Sequence, residues 1–209
     1  MDKTVITEEN LKDLPQIFEK EFLQTLKDRF DRDFIIEKYI ILNGTPNVQV
    51  ILVTDDSDKI RFSAYITPEM TIFDDFQRAC CYHQLRQFID MLIPGAFINI
   101  SFLEDFRPDP ELYVTYDEYI TKHNVNRVLI RILSCKDVVT PELLETVYNV
   151  LFQKLDVEVG FFLYEYDDND SFTNAVNTLK NYHMLTKNDI EKTGPASFTS
   201  TFFPGKGDN

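Results

Sequence analysis

At 209 residues, 44% of them apolar and 27% charged, the chain has the material for one sizeable folded body and lies far from the composition of a disordered protein. Its formal charge of −14 argues against binding double-stranded nucleic acid or anionic membrane, both of which recruit surplus Lys and Arg. Only 6 glycines leave little material for phosphate-cradling loops, and 3 cysteines do not make a disulfide framework.

The opening stretch MDKTVITEENLKDL has neither a basic n-region nor an apolar h-region, and no apolar run approaches the ~20 residues of a bilayer span. A cytoplasmic chain, or one assembled within a particle, is expected. In chain order, the first helix is expected after Asp13, with Pro15 in its first turn and Phe18, Phe22, Leu26 and Phe30 forming an apolar stripe. Three strand-like runs follow at 34–42, 48–54 and 60–66, separated by the turn-rich NGTPN and DDSDK. Such short connections predict an antiparallel meander.

A second helix is expected over roughly 71–92, closed by Pro94-Gly95, and a strand over 96–103. Residues 104–125 read as a long acidic connection with a short strand at 112–116. A strand at 126–135, a helix capped by Thr140 with Pro141 in its first position, and a last strand at 157–166 follow. A short helix near 171–183 and one further turn precede the end of the chain. The fold expected is α+β: a mainly antiparallel sheet with helices packed on it, in the order α-β-β-β-α-β-(β)-β-α-β-α. One domain is expected over 1–192, with an extended, Phe-containing C-terminal arm over 193–209. The leading α-β-β-β-α order resembles that of small acidic secretion chaperones and of phage tail-terminator and neck proteins, in order only.

The stretch RACCYHQL, residues 78–85, sets two adjacent cysteines before a histidine. Cys80 and His83, at i and i+3, share one side of a helix, whereas Cys81 points about 100° away and cannot join them. A zinc site needs three or four converging ligands. No C-x-x-C or H-x₃-H spacing ties Cys135, His123 or His183 to the motif. The doublet therefore reads as part of a core helix, each cysteine acting as a small apolar residue. EYDDNDS at 165–171 has the alternating acids of a calcium loop, but Phe172 and Thr178 stand where that loop needs Gly and a carboxylate. FPGKGDN lacks the rest of a P-loop.

No catalytic, metal or cofactor-binding residue is assigned, and no cofactor is expected. The residues expected to meet partners are Phe198, Phe202 and Phe203 in the arm and Glu104, Asp105, Asp109 and Glu111 in the acidic connection. The reading favoured is a non-enzymatic acidic subunit of a larger complex, such as a virion or phage neck component, meeting protein partners or copies of itself. The alternatives are an acidic binding protein that caps a basic partner, as a secretion-type chaperone or nucleic-acid mimic does, and an enzyme with an unrecognised site.

Overall fold

The computed structural model describes residues 14–41, 48–67, 71–103, 115–180 and 185–205. Helices and two four-stranded sheets make an α+β protein, with the strands divided between an antiparallel and a mixed sheet. The described residues fall into two compact units, divided after Cys81 inside a helix. No Pro, Gly or polar linker marks that point in the sequence, which is why the chain reads as one domain over 1–192.

In the first unit, helix α1 (Leu14–Phe30) precedes strands β1 (Phe34–Ile41), β2 (Val48–Thr54), β3 (Arg61–Ile66) and β4 (Ile72–Asp74). The first three strands form the expected meander and β4 extends it, in the order β1-β2-β3-β4 with every pair antiparallel. Val50 and Leu52 face Ala64 and Phe62 across the sheet, and all four are buried. Phe22, Leu26 and Phe30, one face of α1, close the same core. The Phe30, Phe34 and Phe62 rings surround Phe76 at centroid distances of 4.6, 5.2 and 4.9 Å.

The second helix, α2 (Phe76–Leu92), starts later than 71 because the preceding residues pair as β4. Asp75 N–H donates to the Ser63 carbonyl at 3.0 Å, and Ser63 N–H donates to Asp75 Oδ1 at 2.6 Å. This exchange holds residue 75 in extended pairing, and Asp74 Oδ1 then accepts from the Phe76 N–H at 3.2 Å, at the start of the helix.

The second unit contains β5 (Phe97–Leu103), α3 (Tyr116–Lys122), β6 (Arg127–Cys135), α4 (Pro141–Leu151), β7 (Glu158–Tyr166), α5 (Asn169–Leu179), α6 (Lys187–Glu191) and β8 (Ser197–Phe203). Its sheet runs β5-β6-β7-β8, antiparallel except for the parallel β6–β7 pair, whose crossover is α4. Two expectations are corrected here. The connection read as polar loop contains α3, started by a capping box between Thr115 and Glu118. The strand at 157–166 is not the last, because the segment read as an arm pairs along β7 as β8.

Candidate protein-interaction surface

Strand pleating gives the β5–β8 sheet two faces with different cover. One carries Ile98, Ile100, Val128, Ile130, Ile132, Val159, Phe161 and Leu163, all buried. Phe102 on this face meets Tyr119 of α3 at 6.0 Å, and Phe203 stacks on Tyr148 of α4 at 4.5 Å. Tyr148 Oη also donates to the Pro204 carbonyl at 3.2 Å, which ties the end of β8 to α4.

Among the described residues, the opposite face is packed under helices at one end. There Phe97, Leu133, Tyr164 and Tyr166 pack with Ala175 and Leu179 of α5 and Ile190 of α6. Phe198, opposite Tyr164 at the border of that packing, and Phe202, farther along and opposite Gly160, remain 42% and 51% exposed, beside half-buried Phe162 and Arg131. The rings form a connected group: Phe162 lies 5.6 Å from Phe202 and 6.3 Å from Phe198, and Phe198 is 4.9 Å from Tyr164. Gly160 lies directly opposite Phe202, and a Cβ there would come within 2.8 Å of the Phe202 ring. The missing side chain therefore lets that ring lie down on the sheet.

Arg131 is the charged residue of this aromatic group. Its guanidinium donates to Ser101 Oγ at 2.9 Å and lies 5.9 Å from the Phe162 centroid, and no described carboxylate pairs with it. Partial burial lowers its pKa from the usual guanidinium range. Lys187 Nζ stands 5.0 Å from the Phe198 centroid. Lys187 is also paired with Glu191 of its own helix at 3.4 Å, so the charge this aromatic face presents is that of Arg131.

Of the seven residues expected to meet partners, Phe198 and Phe202 lie together on this face. Phe203 points to the other side, where Tyr148 and Phe161 occupy its ring. Glu104, Asp105, Asp109 and Glu111 lie outside the described residues. Phe162 and Arg131 were missed by the sequence reading. The signal for them was an Arg set between Val128-Leu129-Ile130 and Ile132-Leu133 in the strand NRVLIRILSC, and a Phe at an alternating position of its neighbour.

The other candidates have local structural roles. Cys81 is buried, as are Leu85 and Ile89, while Phe88 is 40% exposed and meets Tyr116 edge-on at 5.9 Å. Cys80 packs against the first unit's core, and burial pushes its thiol up to about 11, with Arg32 acting weakly the other way. Such a thiol stays protonated at neutral pH and is a poor nucleophile. His83 Nε2 lies 2.9 Å from Gln87 Nε2, along the helix. Among the described residues, no group of three His, Cys, Asp or Glu side chains is placed to hold a metal ion, and no helix is long and apolar enough to cross a membrane.

The DDSD turn folds onto Arg32. Asp56 accepts from the Arg32 guanidinium at 3.0 Å and from Thr54 Oγ1 at 2.7 Å, and the Thr54 bond leads in drawing its pKa down. In EYDDNDS, Asp168 is the N-cap of α5, accepting from Ser171 N–H at 2.7 Å. An open depression of about 220 Å³ lies between α5 and α6, lined by Asn174, Thr178, Asp189, Lys192 and Thr193 among others. It is smaller than the ~300 Å³ at which small-molecule pockets begin.

No family model matches the chain, and no curated protein does. A solved structure it is similar to is the crystal structure, at 2.55 Å resolution, of a DUF5037 family protein from Ruminococcus gnavus ATCC 29149. The TM-score is 0.56 at 15% identity, over 90% of this chain and 91% of that chain. At that identity the likeness is one of fold alone.

Proposed function

We propose that the chain is a non-enzymatic acidic subunit that assembles with other protein chains through the open end of the β5–β8 sheet. The observation that supports this reading is the exposed pair Phe198 and Phe202, set beside Phe162 and Arg131 on a sheet face whose other end is packed under helices. Aromatic side chains and Arg are the residue types that dominate binding energy at protein interfaces. Fixed rings lose little rotamer entropy on docking, and these are held by one another and by the Gly160 floor.

The test is to isolate the tagged chain at native abundance from cells that naturally make it, beside the Phe198→Lys/Phe202→Lys variant. Complexes are weighed by native mass spectrometry. The expected result is a complex of fixed stoichiometry that the variant loses while keeping the wild-type circular dichroism spectrum. A wild-type chain that travels alone, or a complex the variant retains in full, would overturn the reading.

A further inference from the structure

Residues Phe198-Thr199-Ser200-Thr201-Phe202 read the same in both directions about Ser200. Among the described residues, the strand that carries them ends its sheet, with a neighbour on one side only. Its register with β7 runs in unbroken steps from Ser197 to Phe203, and SFTSTFF contains no charge, proline or glycine. Edge strands usually carry a Lys, a Pro, a bulge or a covering element, because a bare edge is a template for another strand. The other edge strand of this sheet shows such cover: the Ile98 carbonyl of β5 accepts from Tyr82 Oη at 3.3 Å. Ser197–Ser200 and Phe202 are all exposed.

We propose that β8 pairs antiparallel with β8 of a second copy of this chain, about a two-fold axis through Ser200, joining two four-stranded sheets into one of eight. A two-fold interface must be self-complementary, and the palindrome makes it so at the level of side chains. With Ser200 opposite Ser200, each Phe198 faces the other copy's Phe202 and each Thr199 faces its Thr201. Aromatic–aromatic and Thr–Thr pairs are among the favourable cross-strand neighbours. A shift by two residues sets Phe198 opposite Ser200 and leaves the rings unmatched, so the register is specified. The pairing also brings the two open faces side by side, with Phe162, Phe198 and Phe202 of each copy in one aromatic band. Because β8 is uncharged, two chains of charge −14 meet where neither presents a carboxylate from the strand itself. Their remaining repulsion is long-range, so the dimer tightens as salt is raised.

This inference rests on the reading of this edge as an interaction surface, and the experiment separates the two. Purified full-length chain is followed by light scattering over a concentration series, with Phe198→Lys/Phe202→Lys beside it, and the single variants Ser200→Cys and Ser197→Cys are mildly oxidised. Residues facing each other across an antiparallel pair have Cα atoms about 4.5–5.5 Å apart, within disulfide reach. Copies of residue 197 would stand roughly 20 Å apart in this register. The expected result is a mass that doubles with concentration, a dissociation constant raised about tenfold or more by the Lys pair, and a disulfide-linked dimer from Ser200→Cys but not from Ser197→Cys. A chain that stays monomeric, a dimer indifferent to the Lys pair, or equal crosslinking of the two cysteine variants overturns the proposal. If the purified chain is monomeric while its cellular complex is still lost in the Lys variant, this inference falls and the interaction surface stands. If neither assembly responds to the Lys pair, both fall.

Discussion

Asp75 sits where β4 gives way to α2, and its burial pushes its pKa up to about 6, with the Ser63 N–H and the Arg78 charge acting in the opposite direction. A folded-state pKa above the unfolded value of about 3.9 means that the fold prefers the proton-bound acid. The stability this provides is present in full below the unfolded pKa and is lost as pH rises through about 6. Asp75→Asn keeps an oxygen to accept from Ser63 and removes the buried charge. The variant should therefore gain on the wild type as pH rises from 4 to 7, by up to about 3 kcal/mol. Denaturant titrations at the two pH values check this, and a gap that stays flat with pH would contradict it. The same close reading of single residues separates Phe203, whose ring α4 already uses, from Phe198 and Phe202, whose rings remain available.

Helix starts show what was legible in the sequence at the scale of elements. Thr140-Pro141 announces α4, and Thr140 Oγ1 accepts from the Leu143 N–H at 3.3 Å. Thr140→Ala should cost about 1 kcal/mol in a thermal or denaturant melt, as N-cap removals do; no change would mean that the first turn is held by packing alone. The capping box of α3 has the same chemistry, but its helix buries only Tyr119 and Ile120 and lies in an acidic run, so the apolar period that reveals helices is missing. β4 is three residues long and leaves no period at all. β8 was harder still. Its faces alternate Phe198-Ser200-Phe202 with Thr199-Thr201-Phe203, so no apolar stripe distinguishes it from an arm. The meander was readable because short turns force neighbours in sequence to be neighbours in space, whereas the pairing of β8 with β7 spans α5 and α6.

For the molecule as a whole, the C-terminal segment belongs to the body that it was expected only to adorn. Beyond its ladder with β7, β8 contributes Phe203 to the helix-covered face, and Gly205 is buried against the Val157 backbone. A chain ending at Thr193 should therefore lose its cooperative melt and aggregate, as followed by circular dichroism and light scattering. A truncated chain with the wild-type spectrum and melt would mean that the second unit is complete without β8. For this reason the point variants at Phe198, Phe202 and Ser200 probe association where truncation cannot.

The distance along the chain between β7 and β8 has a consequence for synthesis. From Tyr166 to Phe203 is 37 residues (203 minus 166), which a ribosome adding ~5–20 residues each second covers in about 2–7 s. For those seconds β7, with its fully buried Phe161 and Val159, has an edge and no strand to fill it. A β8 offered by a neighbouring nascent chain on the same message is chemically identical to the one β7 awaits. Strand exchange between copies is therefore the misassembly to which this chain order exposes the second unit.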